Sequence, residues 1–183
     1  MANQQIFRPL EMNRTMFKPK LALRSQTAPT EKDPWRNRLL RGEVHDENAC
    51  ALGGVAAHAG LFGTVGDLAI FCQTLLNGGV YNHCRILKNS TIKTFTHRQQ
   101  LPIGSSRGLG WDTPSKGSSA GKWLSKDSFG HTGFTGTSLW IDPIRQLFIV
   151  LLTNRVYPTR QNNAIQQLRR EVANIITEAI DHW

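Results

Sequence analysis

From Thr64 onward, apolar residues recur at helical spacing. Leu68, Phe71, Cys72, Leu75 and Leu76 share one face until Asn77-Gly78-Gly79 breaks the pattern. Thr64 stands at an N-cap position, and Asp67 follows three residues later as in a capping box, so an amphipathic helix is predicted between Thr64 and Asn77. A shorter helix is expected from Asn89 or Ser90 through Phe95, before Pro102 and the Gly-Ser run at 104–106 signal a loop. The pattern then changes to sheet. Gly108-Leu109-Gly110-Trp111 predicts a short strand, residues 115–122 a flexible hairpin-like loop, and Phe129 to Gly133 a strand leading into Thr137 to Ile141. After a turn at Asp142-Pro143, the nearly continuous apolar run from Gln146 to Thr153 has the mark of a strand covered on both faces. Asn162 or Asn163 can cap a last helix that carries Ile165, Leu168, Val172, Ile175, Ile176 and Ala179 on one side.

Short links between these strands favour antiparallel pairing, so the predicted class is α+β, a three- or four-stranded antiparallel sheet flanked by helices. Residues 1–45 have no such period. Pro9, Pro19, Pro29 and Pro34 interrupt them, and only short turns and irregular connections are expected there. The chain is thus divided into a basic, Pro-rich segment, 1–45, and a structured part, 46–183.

At 183 residues, with 39% hydrophobic and 19% charged positions, the chain fits one domain or part of one and is not disordered throughout. No stretch approaches the roughly 20 apolar residues of a membrane span, and the polar start Met1-Ala2-Asn3-Gln4-Gln5 lacks a signal-peptide pattern. The localisation stays open. The formal charge of +9 is concentrated at the N-terminus, where nine Lys and Arg up to Arg41 face only Glu11, Glu31 and Asp33. No phosphate-binding glycine loop, zinc-finger spacing or RNA-binding aromatic motif accompanies this charge, which favours a solvated basic surface over a specific nucleic-acid site. Cys50, Cys72 and Cys84 form neither a disulfide framework nor a zinc-site pattern, and no cofactor motif occurs.

Three stretches carry a resemblance: Gly42-Glu43-Val44-His45-Asp46-Glu47-Asn48-Ala49, Ala59-Gly60-Leu61-Phe62-Gly63-Thr64-Val65-Gly66-Asp67-Leu68, and Gly130-His131-Thr132-Gly133-Phe134-Thr135-Gly136. Gly108 to Trp111 precedes the third, while Ile141-Asp142-Pro143 and Leu151-Leu152-Thr153-Asn154-Arg155 follow it. In this order and spacing the set resembles the beta-lactamase-related serine hydrolases, which include class C beta-lactamases, D-alanyl-D-alanine peptidases and similar esterases. The resemblance starts at Ile6-Phe7-Arg8-Pro9-Leu10-Glu11-Met12 and implies a partial beta-lactamase/transpeptidase-like fold. It also implies acyl transfer through an acyl-serine on a small ester or amide substrate, a lactam or D-peptide among them. His131 would be an electrostatic or hydrogen-bonding wall of the site, and Thr132 and Gly133 would contact substrate. The Phe134 backbone N–H would be one oxyanion donor. A glycine-rich strand end with an ordinary, partly buried histidine would give the same local motif.

The family's chemistry also calls for a Ser-x-x-Lys pair at a buried helix start and a Tyr-x-Asn motif. Tyr81-Asn82-His83 and Tyr157-Pro158-Thr159 do not supply the latter. Two Ser-x-x-Lys strings occur, Ser90 to Lys93 and Ser119 to Lys122, and both read as decoys. Ser119 lies in a Gly/Ser loop that fixes no geometry, and Ser90 is accounted for as an N-cap. An inactive fragment or half-enzyme is therefore expected, completed only by an N-terminal portion. Its last strand, Phe148 to Leu152, would then be left with an open apolar edge.

A non-catalytic binding module using the basic surface or that edge is the alternative, and a small hydrolase built on Ser90 and Lys93 a third reading. His45-Asp46-Glu47-Asn48, with His58 nearby, matches no metal-ligand spacing and suits a hydrogen-bonded loop at least as well. Trp111 and Trp140 are expected in the core or on a strand face, with lining of an acyl pocket as the other possibility.

Overall fold

Alternation along one strand organises the whole molecule. The computed structural model describes residues 1–100 and 102–181. In chain order these form a π-helical turn (Asn3–Phe7), β1 (Met16–Phe17), α1 (Leu21–Arg24), β2 (Pro29–Asp33), β3 (Arg38–Arg41), α2 (Glu47–Ala51) and β4 (Leu61–Phe62). There follow α3 (Val65–Leu76), β5 (Val80–Tyr81), β6 (Cys84–Arg85), α4 (Asn89–Thr96), β7 (Phe129–Thr132), β8 (Thr137–Asp142), β9 (Leu147–Leu152) and α5 (Ile165–Asp181). The last three strands make an antiparallel sheet in sequence order, with Phe129 opposite Ile141, Gly130 opposite Trp140 and His131 opposite Leu139. The class is α+β, as the periodicity predicts.

Successive residues of β8 point to opposite faces, and each face has its own helix. Ile141 and Phe129 pack with Cys72 and Leu75 of α3 and with Ile92 of α4. Trp140 and Ile149 pack on the other side with Ala173 of α5 and with Ala120 and Leu124. The apolar run in β9 is explained by this sandwiching, since Phe148 and Val150 join the first cluster and Leu147 and Ile149 the second. Burial pushes the Cys72 thiol up to about 12, so it acts as a small apolar core residue. Among the described residues β9 pairs only with β8, which leaves its outer edge open.

Three expectations change in detail. Residues 1–45 are not merely turns: β2 and β3 form a hairpin in which Pro29 occupies the first strand position, where its missing N–H is tolerated. The inward residues of β2 are Glu31 and Asp33, both buried, so no apolar alternation betrays the strand. Thr64 does cap α3, accepting from the Asp67 N–H at 3.3 Å, but the Asp67 carboxylate takes the Arg14 N–H at 2.8 Å and the Thr15 hydroxyl at 2.7 Å. It fastens the N-terminal segment to α3, beside a cluster of Phe7, Leu10 and Met12 that Ile70 and Phe71 join. Gly108 to Trp111 form no strand. Isolated bridges join Arg107 to Asp112 and Asp112 to Gly130, and Trp111 meets the Phe129 ring edge-on at 5.1 Å.

Gly130 is required by close approach. A Cβ there would lie 2.3 Å from the Leu139 carbonyl oxygen and 2.5 Å from the Trp140 ring. Gly130→Ala is expected to destabilise the protein by about 1–3 kcal/mol, the range for overpacking a filled core. Urea denaturation checks this, and an unchanged midpoint would contradict the packing of Trp140 over the strand.

Candidate functional site

The strand end and turn from His131 to Thr137 gather the chemistry that the sequence singles out. Alternation puts His131 on the α3 side of the sheet and Thr132 on the α5 side, next to Ser138. His131 is exposed. Its Nδ1 lies 2.8 Å from the Thr132 carbonyl oxygen, which only accepts, so Nδ1 carries the donated proton and Nε2 faces Arg107 Nη1 at 3.4 Å. Arg107 is itself paired with Asp112 at 2.5 Å.

The turn is held by two guanidinium groups. Arg169 of α5 donates to the carbonyl oxygens of Gly133 and Thr137, both at 2.7 Å. Arg155 donates through Nε to the Phe134 carbonyl at 2.8 Å, while its backbone N–H reaches the Thr135 carbonyl at 2.8 Å. Gly133 N–H bonds to the Thr137 carbonyl at 2.7 Å and Gly136 N–H to the Gly133 carbonyl at 3.1 Å. Among the described residues, the Phe134 N–H meets no acceptor.

The Phe134 side chain is 57% exposed and still tightly flanked. The His45 ring stacks on it at 5.6 Å, and the Arg155 guanidinium carbon lies 4.3 Å from its centroid, with that of Arg160 at 5.9 Å. His45 is anchored in turn, its Nε2 being 2.8 Å from Oε2 of the buried Glu31. Arg160 bridges Glu31 and Glu47, each at 2.7 Å. Burial raises the affinity of Glu31 for a proton, but hydrogen bonds from Arg160 and His45 and the Arg160 charge outweigh it and bring the pKa from 4.5 to about 2.

His45-Asp46-Glu47-Asn48 therefore divides its labour as a hydrogen-bonded loop. Asp46 caps α2 by accepting the Ala49 N–H at 2.7 Å and also meets His58 Nε2 at 3.0 Å. No group of three or more possible metal ligands occurs among the described residues.

The two Ser-x-x-Lys strings lie apart from this turn. Ser90 and Lys93 are both exposed on α4, whose N-cap is Lys88, so Ser90 sits inside the helix and does not perform the capping expected of it. The Ser119 hydroxyl accepts the Trp140 indole N–H at 3.0 Å and serves the core, while Lys122 is exposed. Trp140 is 3% exposed and a core residue. The residues that sequence reasoning missed are Glu31, Arg160 and Arg169, whose partners lie as far as 129 positions away and leave no local signal. Arg155 ends one of the stretches that carry the resemblance, and that was its only trace.

A His-Thr-Gly edge strand, with α5 behind its sheet and α3 and α4 in front, defines part of a beta-lactamase-like fold. The structure is similar to a beta-lactamase from Mycobacterium bovis, with a TM-score of 0.64 and 18% identity over 97% of this chain and 54% of that one. It also resembles simvastatin synthase from Aspergillus terreus, with a TM-score of 0.67 and 16% identity over 100% of this chain and 51% of that one. A family model described as Beta-lactamase matches residues 1–174. A protein of Escherichia coli (strain K12), provisionally named a D-alanyl-D-alanine carboxypeptidase, is 38% identical over 173 residues, which is 83% of this chain and 38% of that protein. A Salmonella typhi protein of the same name is 38% identical over 167 residues, covering 82% and 38%. The chain belongs to the Beta-lactamase family, and it spans 38% of the length of these curated relatives. No helix among the described residues is long and apolar enough to cross a membrane.

The depressed pKa of Glu31 sets a pH dependence. The stabilisation is fully present above pH 4.5 and is lost as pH falls toward about 2, because the unfolded chain binds the proton more readily. Urea titrations at several pH values are expected to show a smaller acid slope in Glu31→Gln than in the unaltered chain. Equal slopes would contradict the paired state of Glu31.

Proposed function

We propose that this chain forms the substrate-side wall of a serine hydrolase acting on ester or amide bonds, lactams and D-peptides included, through an acyl-serine. The observation that carries the reading is the unpartnered Phe134 N–H, held beside His131 and Thr132 by a turn whose Gly133, Phe134, Thr135 and Gly136 carbonyl oxygens are all engaged. In the reaction, a serine hydroxyl gives its proton to a base as its oxygen attacks the substrate carbonyl, whose π electrons move to the carbonyl oxygen. The Phe134 N–H donates to that oxyanion, the Thr132 hydroxyl contacts the substrate carboxylate or carbonyl, and His131 supplies a hydrogen bond or field at the rim. Collapse of this intermediate breaks the ester or amide bond, the leaving alcohol or amine takes the proton, and the acyl-serine remains.

The nucleophile and its base come from polypeptide outside this sequence. Support for this is the placement of both candidate serines: Ser119 is engaged by Trp140 and Ser90 is on an exposed helix face. The open edge of β9 is the docking place for a strand from that polypeptide, which would pair its free backbone N–H and C=O groups. On its own the chain is inert toward acylation, since a serine hydrolase that loses its nucleophile keeps only about 10³–10⁴-fold rate enhancement from binding and the oxyanion hole.

Incubation with a fluorescent acylating probe followed by intact-mass analysis is expected to show no adduct on the chain alone. Co-expression with the part of the Escherichia coli relative that this chain does not match is expected to restore labelling on a serine of that part. Phe134→Pro, which removes the N–H, should then slow labelling by about 10²–10³-fold, whereas Phe134→Ala keeps the donor and should slow it less. An adduct on Ser90 or Ser119 of the chain alone would contradict the proposal.

A further inference from the structure

A cavity of about 420 Å³ opens on the α5 side of the sheet, behind the His131 wall. It lies between α5, the loop around Ser115 to Ser119 and the end of β7, and Thr132 is the residue it shares with the proposed acyl site. Three guanidinium groups line it, from Arg107, Arg169 and Arg170, against a single carboxylate, Asp112. Asp112 is taken by Arg107 at 2.5 Å. Among the described residues, neither Arg169 nor Arg170 has an acidic partner, and Arg170 is held only by a long bond of 3.4 Å to the Gly117 carbonyl. Arg169 keeps a buried Nε with no acceptor.

Two charges are therefore left without counter-ions in a concave, hydroxyl-bearing site. Burial, with the Arg155 charge added, lowers the pKa of Arg169, as expected for a cation lacking an anion. Ser115, Ser118 and Thr132 add hydroxyls along the wall. A carboxylate would neutralise one of the two charges, and a phosphate group, carrying about −1.5 to −2 at neutral pH with several acceptor oxygens, matches both. We infer that this cavity is a binding site for a phosphate-bearing small molecule or free phosphate, adjoining the acyl-transfer wall at Thr132. Its three guanidinium groups all belong to this chain, so phosphate binding can be tested without any acyl-transfer activity.

Calorimetric titration of the full chain with inorganic phosphate at fixed low chloride tests it. One saturable site per chain is expected, with acetate binding more weakly. Arg170→Gln should weaken phosphate binding by about tenfold or more while urea unfolding stays unchanged, and Lys20→Gln, in the basic N-terminal segment, should leave binding intact. Arg169→Gln, which also releases Gly133 and Thr137, supplies a second variant with the same expected loss. Absence of saturable binding, binding undiminished in Arg170→Gln, or equal losses in Lys20→Gln and Arg170→Gln would overturn the inference. Acetate binding as tight as phosphate would overturn the assignment to a phosphate group.

Discussion

The turn between β7 and β8 needs donors for its carbonyl oxygens, and guanidinium groups from two separate parts of the chain supply them to Gly133, Phe134 and Thr137. Arg169 holds Gly133 and Thr137 from α5, and Arg155 holds Phe134 from the segment after β9. Gly136 completes the constraint. Its φ of +123° suits glycine, and a Cβ would lie 2.8 Å from both the Thr153 carbonyl oxygen and the Arg155 N–H nitrogen. With these bonds in place, the Phe134 amide N–H has no acceptor among the described residues.

A second layer makes the clamp rigid. The Arg155 guanidinium also donates to the Arg160 carbonyl at 2.7 Å and the Asn162 carbonyl at 3.0 Å, which ties the turn to the lead-in of α5. Arg160 reaches back to Glu31 in the N-terminal hairpin, and Glu31 holds the histidine that stacks on Phe134. The positive surplus of the chain is therefore not all a solvated surface. Arg36 pairs with Asp33 and donates to the Val44 carbonyl at 2.7 Å and the His45 carbonyl at 2.6 Å, with only 7% of its side chain exposed. A buried group of this kind is costly to leave unpaired, so these cations stiffen the loops on which the site stands.

Legibility in the sequence followed the range of the interactions. Helix α3, the β8–β9 hairpin and α5 are legible because their apolar residues are periodic, but the buried face of α5 runs through Ile165, Ala173 and Thr177, while Leu168, Ile175 and Ala179, expected on that face, are exposed. The β2–β3 hairpin was not, since its inward residues Glu31 and Asp33 are acids whose partners come from elsewhere in the chain. Gly108 to Trp111 looked like a strand through Leu109 and Trp111, yet Gly110 adopts a φ of +78° and the backbone makes only isolated bridges. The place of His131, Thr132 and Phe134 at a strand end was readable from the glycine pattern. Their supports were not, because Arg160, Arg169 and Glu31 act across distances in sequence that carry no local pattern.

Amide hydrogen exchange through the turn, resolved residue by residue by NMR, tests the central claim most directly. The account predicts slow exchange for Gly133 and Gly136, whose N–H groups are bonded, and fast exchange for Phe134, whose N–H is open. Strong protection of Phe134, or fast exchange of all three amides together, would contradict a rigid turn in which the Phe134 donor is free.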